Sequence, residues 1–160
     1  MNNEKLSLDG LIFEATKVVM KDYILTITLN RPNKKNAINS VMMNEVNYAL
    51  AYAKQERKIR VVIIDAEGDI FCAGADLSNP KSESNVRKLT DHDDLSLSIR
   101  HLYKPVICKI QGSVLAGALL IAANATHAVA VKDAKFSAPE IKRGLWPFMV
   151  MAGLFRVMPK

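Results

Sequence analysis

Phe71-Cys72-Ala73-Gly74-Ala75-Asp76-Leu77 is the stretch on which the reading of the chain turns. An apolar strand end runs there into residues with small side chains or none, where backbone N–H groups can approach another atom closely. Just upstream, Val61-Val62-Ile63-Ile64 is a short run of the kind a buried strand needs, and Gly68 turns the chain between the two. The layout returns downstream. Residues 105–110 form a further buried strand, Gly112 is expected to introduce a helix over about residues 116–124, and Leu115-Ala116-Gly117-Ala118 lies at the join. Residues 127–131 form the next predicted strand, Phe136 begins a segment ending at Pro139-Glu140, and residues 149–157 read as helical.

Toward the N-terminus, residues 12–20 and 23–29 are apolar and β-branched in partial alternation, which predicts a hairpin joined through Lys21-Asp22. Asn30-Arg31-Pro32-Asn33 is a turn signal, and Asn39-Ser40 is placed to cap a helix over residues 41–56 whose Met42, Val46, Leu50 and Ala53 share one face. Residues 79–94 are polar and read either as a loop or as a weakly held helix, while residues 95–102 are amphipathic enough for a helix. Strands alternating with helices imply an α/β fold with a largely parallel sheet. No linker, sharp repeat or low-complexity tract divides the chain, so one domain is expected over residues 1–160, with residues 1–10 as a polar lead-in.

The 160 residues, 49% apolar and 24% charged, suffice for one substantial core. Lys and Arg number 22 against 16 Asp and Glu, and the resulting +6 suits an anionic partner. The basic residues are scattered, without the runs interleaved with aromatics that a nucleic-acid groove favours, so nucleic acid is not expected. Residues 112–131 hold no Asp, Glu, Lys or Arg, but their Ser113, Asn124, Thr126 and His127 and their alanine richness favour a buried helix and strand over a membrane span. Cys72 and Cys108 lack CxxC spacing, and His92, His101 and His127 lack metal-ligand spacing, so neither a disulfide framework nor a metal site is expected. The first ten residues have no apolar stretch of the secretory type, and a reducing cytoplasm is the expected setting.

Where a small-residue loop opens a helix, its first N–H groups lack helical partners and the dipole is positive, so an oxyanion placed there is stabilised. Tight helix packing that needs Gly and Ala explains either loop better when it is taken singly. Neither loop has the GxGxxG or P-loop spacing, so no nucleotide-binding motif stands behind them.

Five blocks in order resemble the crotonase, or enoyl-CoA hydratase/isomerase, family. They are Asn30-Arg31-Pro32 with Asn36-Ala37-Ile38, Phe71 to Leu77, Lys104-Pro105-Val106-Ile107 with Gln111-Gly112, Ala116-Gly117-Ala118, and Phe136-Ser137-Ala138-Pro139-Glu140-Ile141. The resemblance implies a crotonase-like fold of repeated ββα units and an acyl-CoA thioester as ligand, with no separate cofactor because coenzyme A is part of the substrate. It implies an oxyanion hole made by the Ala75 and Gly117 N–H groups, and Glu140 as the proton-carrying carboxylate. It places Lys34, Lys35, Ala37, Ala73 and Asp76 around the coenzyme A, where Lys34 and Lys35 either meet its phosphates or stand as a solvated pair. Without the resemblance, Glu140 reads as a surface carboxylate or a partner of Lys142 or Arg143.

Hydratases of this family carry a second glutamate on the helix after the Gly117 loop; here that position is Leu120. Two carboxylates suit hydration, whereas one can shuttle a proton between two carbons. Leu120 with Glu140 therefore resembles the Δ3,Δ2-enoyl-CoA isomerase branch, with hydration as an alternative and a non-catalytic acyl-CoA-binding fragment as another. Further departures are Ser78 where a basic residue often stands, Thr126-His127 in place of an aspartate, and Trp146-Pro147-Phe148-Met149 in place of a glycine-rich stretch. The resemblance also implies that the chain stops, at Met158-Pro159-Lys160, before the helices that complete the family's trimer and cover its acyl pocket. A trimer-based homo-oligomer is the family's expectation, in question for such a portion, and uncovered apolar surface is expected on the core that remains.

Overall fold

A computed structural model describes residues 5–78, 85–88 and 94–158. Strands β1 (Thr16–Lys21) and β2 (Ile24–Leu29) form the expected antiparallel hairpin, in register from Thr16 opposite Leu29 to Lys21 opposite Ile24. Asp22 and Tyr23 both take positive φ, 46° and 68°. That is the two-residue turn whose twist matches the strands it joins, so the link is Asp22-Tyr23 rather than Lys21-Asp22. The first strand begins at Thr16, because Glu14 N and Ala15 N turn aside to donate to the Glu45 carboxylate at 2.7 and 3.0 Å. Thr16 Oγ1 donates to the same carboxylate at 2.9 Å. Burial pushes the Glu45 pKa above its ordinary value, against the lowering effect of these donors.

Helix α1 (Ser40–Gln55) starts where the sequence places it, with Asn39 Oδ1 accepting from Met42 N at 3.0 Å. Met42, Val46, Leu50 and Ala53 are all buried on one face. Each of the larger three contributes about 1.5–3 kcal/mol by leaving water. Lys104 Nζ closes the far end by donating to the carbonyls of Ala53 and Glu56.

Then follow β3 (Val61–Ala66), β4 (Ile70–Cys72), α2 (Leu95–Arg100), β5 (Val106–Ile110), β6 (Ser113–Leu115), α3 (Leu119–Asn124), β7 (His127–Ala130), β8 (Phe136–Ser137) and α4 (Phe148–Leu154). The strands sort into two sheets, β1-β2-β3-β5-β7 and β4-β6-β8. All pairings after the hairpin are parallel. In each later unit the first strand enters the large sheet and the second the small one, which is the ββα repeat. In the first unit both strands, β1 and β2, lie in the large sheet, and Ile38 reaches the segment after β4 by bridging Ala75 in parallel.

The expectation for Gly112 is also corrected. Gly112 introduces strand β6, and the helix proper starts at Leu119 after a 3-10 turn over Ala116–Ala118. Three residues are too few to show a period, and only the slot between β4 and β8 makes Ser113–Leu115 extended. The loop-or-helix stretch 79–94 lies outside the described residues except for 85–88 and Asp94, which caps α2 by accepting from Leu97 N.

The core lies where α1, α2 and α3 meet the sheets, and it joins Leu25, Ile27, Val46, Leu50, Phe71 and Ile121 in one buried cluster. Among the described residues no helix is long and apolar enough to cross a membrane. Large apolar side chains stand exposed toward the C-terminal end, including Val129 of β7, Phe136 of β8, and Trp146, Phe148 and Met149 around α4.

Candidate active site

Three parallel strands deliver the candidate residues to one edge. In the small sheet Cys72 pairs with Val114 and Val114 with Phe136. Continuing past those partners, Ala75 and Gly117 each lie three residues on and Glu140 four residues on. With the order β4-β6-β8, the three follow the carboxyl ends of neighbouring strands, which lie about 4.8 Å from one to the next. Carboxyl ends of parallel strands are where α/β folds place ligands.

The two glycine loops touch. A Cβ built on Gly74 would lie 2.7 Å from Ala116 Cβ, 3.0 Å from Leu115 O and 3.3 Å from Gly117 N. Covalent geometry keeps Ala75 N within about 3.7 Å of that Cβ, so the nitrogens of Ala75 and Gly117 are at most about 7 Å apart. One oxygen accepting two bonds of about 2.9 Å needs the two nitrogens within about 5.8 Å of each other, a separation inside that ceiling. Gly74 itself has φ of 90°, which a side chain would strain as well as obstruct.

Peptide planarity fixes where the donors point. Gly74 O accepts from Ile38 N at 2.8 Å, so Ala75 N–H, on the other side of the same trans peptide, is turned away from the 31–38 loop. Ala116 O accepts from Leu119 N, so Gly117 N–H points back out of the start of α3. Nothing stands within 4 Å of a Cβ built on Gly117, and Ala75 is exposed. Ala116 has φ of 53°, a left-handed conformation that a non-glycine residue adopts at some cost.

Glu140 lies in a 3-10 turn over Pro139–Arg143, and its Oε2 is buried without a hydrogen-bond partner among the described residues. A buried oxygen in that state has a lone pair to offer a ligand proton or a water, as do Asn47 Oδ1, Asp65 Oδ1 and Gln111 Oε1. Leu120 is half-buried, and its Cδ2 would lie 2.2 Å from a Cβ on Gly153, so its side chain is packed against α4. Lys34 and Lys35 are exposed at the end of a short turn over Pro32–Lys34, with Ala37 and Ala73 half-buried behind them.

Two residues of the first family block to which the sequence assigns no role, Arg31 and Asn36, prove to hold these loops. Asn36, fully buried at φ of 51°, accepts from Arg31 N and donates to the carbonyls of Glu67 and Ile70, each at 2.8 Å. Arg31 donates through Nη1 to Ala37 O and through Nη2 to Asp76 Oδ2 at 2.9 Å. Asp76 Oδ1 accepts from Ser78 Oγ at 2.6 Å and Ser78 N at 2.9 Å. These Ser78 bonds, with Arg31 beside them, hold the Asp76 carboxyl down to about 2. Asp76 is therefore spent on the protein itself. The burial that singles Asn36 out is not written in the sequence.

Cys72 donates to Asn36 O, and burial pushes its thiol up to about 12, as burial does for Cys108. Neither is a nucleophile at neutral pH. Among the described residues no group of three or more His, Cys, Asp or Glu side chains could hold a metal ion.

A family model described as enoyl-CoA hydratase/isomerase matches residues 20–160. Mevalonyl-coenzyme A hydratase of Aspergillus fumigatus is 34% identical over 127 residues, covering 77% of this chain and 47% of that protein. The 1,2-epoxyphenylacetyl-CoA isomerase of Escherichia coli is 30% identical over 135 residues, covering 78% of this chain and 50% of that protein. The chain thus spans about half the length of these curated relatives. In fold, an enoyl-CoA hydratase/isomerase of Mycobacterium paratuberculosis superposes with a TM-score of 0.78 at 24% identity, over 93% of this chain and 58% of that one.

Proposed function

This chain belongs to the enoyl-CoA hydratase/isomerase family, and from that premise we propose that it binds an acyl-CoA thioester and shifts its double bond. The thioester oxygen accepts from Ala75 N–H and Gly117 N–H. Glu140 removes a proton from C2 of a 3-enoyl thioester, and the electron pair moves onto the carbonyl oxygen as an enolate held by the two donors. Glu140 then returns the proton to C4, and the double bond comes to rest between C2 and C3. Lys34 and Lys35 meet the phosphates of the coenzyme A. The reading is supported by one observation, the order β4-β6-β8, in which three neighbouring parallel strands run on into the segments that carry Ala75, Gly117 and Glu140.

Leu120 turns the choice toward isomerisation, since an apolar side chain packed on α4 cannot activate water. Hydration is the second reading, because a relative at 34% identity is named a hydratase. Parallel assays with 2-enoyl and 3-enoyl thioesters decide between them by product. Glu140→Gln is expected to lower turnover by about 10²–10⁴-fold while acyl-CoA affinity stays within about threefold. Turnover that survives this change removes Glu140 as the base. Calorimetric binding of an acyl-CoA without turnover of either thioester leaves a binding protein.

A further inference from the structure

The bridge that holds Ala75 is one residue pair long. Ile38 opposite Ala75 is an isolated parallel contact, with no ladder on either side to keep it closed. It rests on Ile38 N donating to Gly74 O and Asp76 N donating to Ile38 O, at 2.8 and 2.9 Å. Gly74, at φ of 90°, leaves the Gly74–Ala75 peptide softer than a neighbour with a Cβ would. A rotation of that peptide would turn the Ala75 N–H away from the ligand, and the neighbouring backbone bond between the two segments, Ala73 N to Lys35 O at 3.0 Å, lies on the far side of Gly74 from Ala75.

Arg31 clips the bridge on both sides. One guanidinium nitrogen donates to Ala37 O, next to Ile38, and the other to Asp76 Oδ2, next to Ala75. The pair is well shielded from water, with side chains 16% and 5% exposed for Arg31 and Asp76. A planar fork with two fixed donors suits such a clip, and a single ammonium does not. The Arg31 backbone is itself fixed, because its N–H donates to Asn36 Oδ1 at 2.8 Å.

We infer that Arg31 is a positioning residue for the oxyanion donor: its fork across Ala37 and Asp76 holds the Ile38–Ala75 bridge closed and so keeps the Ala75 N–H aimed at the thioester oxygen. This inference rests on the oxyanion-hole reading above. It makes the carbonyl polarisation, rather than ligand capture, the property that depends on Arg31.

The test is isotope-edited infrared spectroscopy of an acyl-CoA whose thioester carbonyl carries carbon-13, bound to the wild type and to Arg31→Ala, Arg31→Lys and Asp76→Asn. Hydrogen bonds from the two donors lower the carbonyl stretch, so the bound wild type should show a downshift from the free thioester. All three variants should lose at least half of that downshift while melting cooperatively, and the lysine should not rescue it despite keeping the charge. A full downshift in the folded Asp76→Asn protein, or its restoration by lysine, overturns the positioning role while leaving the oxyanion hole standing. A bound wild type with no downshift overturns the oxyanion hole, and this role with it. Should Arg31→Ala fail to melt cooperatively, Asp76→Asn, which leaves the Arg31–Ala37 bond in place, carries the decision.

Discussion

Asp76 shows how one side chain ties a site's electrostatics to the stability of its loop. Its carboxylate is held by Ser78 and Arg31, so its pKa falls from an ordinary 3.8 to about 2 in the folded protein. A lowered carboxylate contributes stability that is fully present above the unfolded value and is lost as pH falls through the folded one. Wild type should therefore lose stability between about pH 4 and pH 2 more steeply than Asp76→Asn does. Urea melts of both proteins across that range read the difference, and equal slopes would mean that the Ser78 and Arg31 bonds do not favour the anion. At the same scale, Glu140 was legible only as one residue of an ordered pattern, since nothing in its own neighbourhood separates a catalytic carboxylate from a surface one. That its Oε2 is buried with no partner among the described residues is a property of the fold around it.

Among elements, α1 and β6 mark the two extremes of legibility. The 16 residues of α1 carry their own cap and four turns of period, enough for the sequence to specify both its start and its buried face. Strand β6 has three residues and exists because β4 and β8 flank it. Its entry is the tightest of the glycine positions: a Cβ on Gly112 would lie 1.8 Å from Asp69 O and 2.8 Å from Asp69 C, which are backbone atoms. Gly112→Ala should accordingly destabilise by at least about 3 kcal/mol, or prevent folding, because the backbone must move to admit one methyl group. Thermal melts of that variant beside Gly144→Ala make the comparison. Gly144 has open space around its Cβ position and only a positive φ of 71° to lose, so about 1 kcal/mol is expected there.

The molecule as a whole exposes large apolar side chains on β7, β8 and the segment around α4, with Phe148 74% and Met149 70% exposed. Exposed large apolar side chains of this kind bind polarity-sensitive dyes. The native protein should enhance the fluorescence of anilinonaphthalene sulfonate, and replacing Trp146, Phe148 and Met149 by Gln should reduce that signal by more than half with the fold retained. An unchanged signal would place the dye-binding surface elsewhere. By itself the sequence determined the alternation of strands and helices, the hairpin, the cap and face of α1, and an ordered set of motifs that named the family. Those features are local or linear, and period, turn residues and block order are written along the chain. The tertiary structure alone decided that the second strands leave the large sheet for a small one, that Gly74 abuts Gly117, that Arg31 reaches across to Asp76, and that the ends of β4, β6 and β8 form one edge. Each of these joins residues distant along the chain, and their meeting is set by sheet order and packing, which no local pattern encodes.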